Sequence, residues 1–123
     1  MDTKISEHDR VVEALKRSNS AKYDVLANLG KEEHYIGQIF PDLILLDKIT
    51  NKPVFIIEVK KNGLVAQCIQ QWKAMPSIPA TLYIVVPEAE IQNAKSIAEV
   101  VGLQTKFGIY TMGEDSVTIK FLQ

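Results

Sequence analysis

Phe40-Pro41-Asp42-Leu43-Ile44-Leu45-Leu46-Asp47-Lys48-Ile49-Thr50-Asn51-Lys52-Pro53-Val54-Phe55-Ile56-Ile57-Glu58-Val59-Lys60-Lys61 consists of two apolar runs around a polar turn. Both runs are short and bounded by turn residues, which favours strands over helices. Strands are predicted over residues 42–48 and 54–61. Between them, Asn51 suits a left-handed turn position and Pro53 marks the start of the next strand. Continuous apolar runs imply strands covered on both faces, so helices are expected on both sides of the sheet. A hairpin centred on Thr50 pairs residues whose numbers sum to 100, which sets Asp42 across from Glu58. Cross-strand partners have Cβ atoms about 4.5–5.5 Å apart. Side chains alternate along a strand, so Glu58 and Lys60 share one face and Lys61 takes the other. A register one residue different would break this grouping.

Working outward, a first helix is predicted over residues 6–18. Ser6 is its N-cap, Asp9 lies three residues on, and Ile5 is placed to staple onto the first turns. Val11, Val12 and Leu15 give it an apolar face. A second short helix is predicted over residues 21–29, stopping at Gly30, and a first strand over residues 35–40. Downstream, Asn62-Gly63 breaks the chain. A helix follows over residues 64–75, with Leu64, Cys68 and either Ile69 or Trp72 along one side, ended by Pro76 and Pro79. An apolar strand is predicted over residues 81–86. Ile91, Ala94, Ile97, Ala98 and Val101 recur at helical spacing over residues 88–101, with Gly102 as the stop. Residues 106–112 and 117–122 read as a final hairpin. There are no repeats, low-complexity tracts or linkers, so residues 1–123 are read as a single domain.

With 46% hydrophobic and 24% charged residues, the chain has the composition of a folded globular protein and not of a disordered one. A chain of 123 residues can bury one core without disulfides. No apolar run approaches the roughly 20 residues needed to cross a bilayer, and the charged N-terminus lacks a signal core. The one cysteine, Cys68, cannot form an internal disulfide, so a reducing cytoplasm is the expected compartment. Cys68 itself is read as helix packing. His8 and His34 make no ligand spacing with a further His or Cys, which argues against zinc. Trp72 and Tyr83 are read as packing residues. No Gly-rich phosphate loop or nucleophile elbow is present. A net charge of −1 and a pI of about 6.1 count against broad, non-specific binding of nucleic acid. They are compatible with a nuclease, whose carboxylates lower the net charge and whose metal restores positive charge at the phosphate.

Two carboxylates side by side repel unless neutralised. Mg²⁺ does this well, because it takes one or two carboxylates, keeps several waters and binds phosphate oxygens. An ammonium beside it can hold a water or stabilise charge developing on the phosphate. The plain alternative is a surface ion pair between Glu58 and Lys60 or Lys61.

The segment resembles the PD-(D/E)XK nuclease superfamily, which includes restriction endonucleases, resolvases and the nuclease domains of type I restriction enzymes. Pro41-Asp42 matches the first half of the motif and Glu58-Val59-Lys60 the second. The predicted order, over about residues 6–87, is similar to the family's αβββαβ core. The resemblance implies an α/β, restriction endonuclease-like fold. It would have a mixed central sheet flanked by helices, with an extra C-terminal helix and hairpin. It implies Mg²⁺, with Mn²⁺ as a substitute, held by Asp42, Glu58 and the main-chain carbonyl of Val59, and Lys60 orienting the attacking water. It also implies an acidic residue from the first helix, Glu7 or alternatively Glu13, and a Gln from the following helix: Gln67, with Gln70 and Gln71 close by. The implied substrate is nucleic acid, with DNA expected and a 5′-phosphate product. A chain this short would act as a homodimer, read structure in place of sequence, or serve as the subunit of a larger assembly. The rival reading is a non-catalytic module on the same fold, holding nucleic acid or a protein. A third is a regulatory or immunity-type protein pairing through the edge of its C-terminal hairpin.

Overall fold

The computed structural model describes residues 6–29, 32–61, 64–75 and 78–122. Helix α1 spans Glu7–Asn19. It starts where predicted, with the Ser6 hydroxyl accepting the Asp9 N–H at 3.1 Å. Glu7 and Asp9 in the first turn and Lys16 and Arg17 in the last suit the helix dipole. Val11, Val12 and Leu15 are fully buried.

The next two elements depart from the sequence reading. The helix expected over residues 21–29 is strand β1, Tyr23–Ala27. Tyr23, Val25 and Ala27 alternate with Asp24 and Leu26, and these three pack against the core under α1. The antiparallel neighbour satisfies the backbone, from Tyr23↔Asp47 to Ala27↔Leu43. Long-range pairing thus overrides a weak local helical pattern. The strand expected over residues 35–40 is instead a tight turn, closed by one bridge, Ile36↔Ile39. Gly37 sits inside it at φ +59°, a conformation glycine adopts at no steric cost.

Strands β2, Leu43–Asp47, and β3, Pro53–Val59, form the predicted hairpin. Leu43↔Ile57, Ile44↔Ile56 and Leu45↔Phe55 obey the sum of 100. The register slips beyond Leu45, so that Leu46 faces Pro53, a residue with no N–H to donate. Helix α2, Val65–Lys73, crosses to β4, Thr81–Pro87, which lies parallel to β3. A 3₁₀ turn, Glu88–Glu90, leads into α3, Ile91–Val101. Gly102 ends that helix at φ +83°, its N–H bonded to the Ala98 carbonyl at 2.8 Å. Strand β5, Lys106–Met112, is parallel to β4, and β6, Val117–Phe121, returns antiparallel.

The described residues form a mixed α/β arrangement of six strands in sequential order with three α-helices. Helix α1 packs on one face, against Leu43, Leu45, Ile57, Val59, Val85 and Tyr110. Helices α2 and α3 cover the other, against Ile56, Ile84, Val86 and Phe107. Both faces are covered, as the apolar runs require. Two parallel pairings bring the carboxyl ends of β3, β4 and β5 to one edge, the usual location of sites in open α/β sheets. The roles expected of Ile5, Gly30, Asn62, Gly63 and Pro76 fall outside the described residues. Among the described residues, no helix is long and apolar enough to cross a membrane.

Candidate active site at the carboxyl end of the central strands

Asp42 immediately precedes β2, and Glu58 is the second-last residue of β3. Both are buried, at 8% and 2% exposure. The hairpin locks them together: the Asp42 N–H donates to Glu58 Oε1 at 3.0 Å, and the Val59 N–H donates to Asp42 Oδ2 at 2.6 Å. Helix α2 adds the indole of Trp72, whose Nε1–H donates to Glu58 Oε2 at 2.8 Å, with the Cys68 thiol 3.8 Å from the same oxygen. From α1, His8 Nε2 lies 2.9 Å from Asp42 Oδ1, while its Nδ1 lies 3.0 Å from Asp9 Oδ1. Four elements, α1, β2, β3 and α2, therefore converge on two carboxylates.

The electrostatics follow from that convergence. Burial, and then the Asp42 charge, push the Glu58 pKa up, while Lys60 and the donated hydrogen bonds pull it the other way. Burial works against the Lys60 cation. The charges of Glu58 and Asp42 outweigh it, so the Lys60 pKa is raised and the ammonium persists. The hydrogen bond to Asp42 raises the His8 pKa against the opposing effect of burial. His8 therefore keeps a proton to higher pH than a free imidazole. Burial and the neighbouring Glu58 push the Cys68 thiol up, leaving it un-ionised and inert as a nucleophile.

Glu7, the expected acidic partner from α1, points elsewhere: it accepts the Tyr110 hydroxyl at 2.7 Å and lies 3.8 Å from Lys61 Nζ. Glu13 sits five residues beyond His8, roughly 7.5 Å further along the helix axis. Gln67, Gln70 and Gln71 are exposed on α2, which turns Cys68 and Trp72 inward. Lys61 lies beside Glu7, and Lys60, just past the end of β3, is in the field of Glu58. At Val59 the group touching Asp42 is the N–H. Two contacts escaped the sequence reading. Trp72 stands four residues from Cys68 and so on its face, a visible signal; His8 had none beyond its place in the first turn.

Among the described residues, no group of three His, Cys, Asp or Glu side chains is arranged to hold a metal ion. A hollow of about 530 Å³ opens beside Glu7, Tyr110, Pro87 and Glu88. A larger one, about 670 Å³, lies at the opposite end of β4 and β5 near Lys73, Thr81 and Lys106, away from the carboxylates. Comparison with protein-family models, with curated proteins and with solved structures finds no match to this chain.

Proposed function

We propose that the chain is a metal-dependent phosphodiesterase of the PD-(D/E)XK type, cutting nucleic acid and most directly DNA, on a restriction endonuclease-like fold. One observation carries the reading: Asp42 and Glu58 are clasped across the β2–β3 hairpin with Lys60 in the field of both. The αβββαβ order of the first six elements supports it. The donor set suits a hard divalent ion. Each carboxylate oxygen meets one nitrogen of the protein, with only the weak Cys68 thiol added at Glu58 Oε2, so lone pairs remain for a cation, and when His8 is neutral two carboxylates exceed the single charge of Lys60. Asp42 and Glu58 would hold Mg²⁺ or Mn²⁺, with the Val59 carbonyl as the further oxygen that the resemblance implies.

Bound there, the ion would activate water and offset charge on the phosphate. The remaining work falls to the chain. Trp72 and the Asp42 N–H fix the Glu58 carboxylate, and His8 steadies Asp42. Lys60 orients the attacking water and stabilises charge on the phosphate oxygens, a contribution of about 10²–10³-fold in rate for one preorganised group.

A second reading has its own observation. All four carboxylate oxygens of Asp42 and Glu58 already meet a nitrogen of the protein. On this reading the cluster joins α1, the hairpin and α2 as a structural keystone, and the fold serves as a binding module. A cleavage assay separates the two. Single-stranded, duplex and branched DNA are incubated with Mg²⁺ or Mn²⁺, with and without chelator, against Lys60→Ala. Metal-dependent cutting that Lys60→Ala abolishes is expected. Folded protein that cuts none of these substrates in either metal, and takes up no Mn²⁺ in calorimetry, leaves the binding module.

A further inference from the structure

The turn before Asp42 is built with more care than a connection needs. Asn28, directly after β1, is buried at 8% exposure. Its Nδ2 donates to the carbonyls of His34 and Pro41, both at 2.6 Å. Its Oδ1 accepts the N–H groups of Glu33 at 3.0 Å and His34 at 2.8 Å. The whole donor and acceptor capacity of the amide is thereby used. The Asn28 backbone N–H also donates to the Asp42 carbonyl at 2.9 Å. One side chain thus pins both ends of residues 33–41 and ties them to the candidate centre.

Within this span, Ile36 and Ile39 face the core and close the turn on each other. A Cβ at Gly37 would collide with the Met75 methyl, so the turn is pressed onto the end of α2. Tyr35 and Phe40 flank the two isoleucines and point the other way. They are 67% and 40% exposed. Their rings meet edge to face, with centroids 5.8 Å apart. Two large rings held in water on an anchored turn are not explained by packing. Phe40 stands two residues from Asp42, so their Cα atoms are at most about 7 Å apart.

We propose that Tyr35 and Phe40 are a base-stacking pair that selects unpaired nucleotides beside the Asp42–Glu58–Lys60 centre, an inference that rests on the nuclease reading. Charge decides the partner. With a net charge of −1, the chain cannot draw its affinity from many phosphate contacts. Glu32 and Glu33 are exposed on the same turn and repel a phosphate backbone. A strand that binds here must therefore be gripped by its bases. Stacking on aromatic rings provides such a grip and tolerates any sequence. In an intact duplex the base faces are covered by their neighbours, so single strands, frayed ends and branch points qualify and uninterrupted duplex does not.

The test uses the full chain in chelator, so that binding is read without cleavage. The probe is a 12-nucleotide DNA carrying a central 2-aminopurine, offered as a single strand and as a duplex. Wild type should bind the single strand and quench its fluorescence, with much weaker binding of the duplex. Tyr35→Ala and Phe40→Ala should each weaken single-strand binding roughly ten-fold, the scale of one lost stacking contact, and Tyr35→Trp should retain it. Both rings are exposed, so truncation leaves the core intact. Equal binding of the two probes, alanine variants that bind like wild type, or a wild type that binds neither overturns the proposal. So does a dimer in sedimentation that Tyr35→Ala dissolves, because the rings would then cover a second copy of the chain. Ring-dependent binding without cleavage would retain the stacking pair and remove the nuclease, while cleavage indifferent to both rings would do the reverse.

Discussion

Replacing Trp72 by phenylalanine keeps an aromatic ring in the core and removes one hydrogen-bond donor. In the native chain that donor sits 2.8 Å from Glu58 Oε2, on a residue 5% exposed. A hydrogen bond to a charged group contributes about 1.5–3 kcal/mol, and a buried acceptor left without its partner costs on that scale. Among the described residues, Oε2 otherwise meets only the Cys68 thiol at 3.8 Å, a weak donor. The cost depends on ionisation. The folded pKa of Glu58 is raised above 4.5 by burial and by Asp42, and the Trp72 bond opposes that rise. Removing the indole N–H therefore lifts the Glu58 pKa further. With Glu58 protonated, at pH well below its folded pKa, Trp72→Phe should cost lost packing and only a weaker, neutral hydrogen bond of about 0.5–1.5 kcal/mol. As pH rises through that pKa, the cost of the lost hydrogen bond grows to its charge-assisted value of about 1.5–3 kcal/mol. Urea unfolding of wild type, Trp72→Phe, Glu58→Gln and the double variant, from pH 5 to pH 9 in chelator, measures this as a coupling energy. A Trp72→Phe penalty that is the same at every pH, with no coupling to Glu58→Gln, refutes the claim that the indole serves a titrating carboxylate.

Asp42→Asn should abolish cleavage and lower the His8 pKa, because the Asp42 hydrogen bond is the largest influence on it; an NMR titration that leaves His8 unmoved contradicts this. The raised His8 pKa contributes stability that is complete below pH 6.5 and is lost as pH climbs through the folded value. The wild-type melting temperature in chelator should therefore fall between mildly acidic and mildly alkaline pH, and His8→Ala should flatten that fall. Lys60→Ala should reduce the single-turnover rate by about 10²–10³-fold, whereas Lys61→Ala, on the Glu7 side of the strand, should leave it within a few-fold. Equal losses at saturating substrate would defeat the assigned role of Lys60.

What could be read in the sequence was local and periodic. The hairpin register followed from one turn, because Asn51 takes φ +60° and pairing propagates from it as far as Leu45↔Phe55. Helix α1 was marked by Ser6 and by the spacing of Val11, Val12 and Leu15. The failures share a cause. Residues 23–27 carry no strong preference of their own, and only pairing with β2 makes them a strand. Residues 35–40 look strand-like, yet Gly37 and the Asn28 amide fold them into a turn. An Asn that satisfies four partners across a loop leaves no pattern in the sequence, because its effect depends on where the chain has already gone.

The same distinction divides the candidate site. Asp42, Glu58 and Lys60 come from one hairpin, so pleat and register place them. His8 lies 34 residues from Asp42, and Trp72 lies 14 residues from Glu58; their approach depends on how α1 and α2 cross the sheet. Those two residues also tune the electrostatic state of the cluster. Trp72 donates a hydrogen bond to Glu58 and so favours the carboxylate, although burial favours the acid. His8 keeps its proton to higher pH than a free imidazole and, when protonated, adds a second positive charge to that of Lys60. With both carboxylates ionised and His8 protonated, two negative charges meet two positive ones, and the His8 charge is given up as pH rises. Losing the His8 proton leaves Asp42 and Glu58 with one cation between them. A divalent ion would repair that imbalance. The residues invisible to the motif therefore determine when the motif would be ready to bind it.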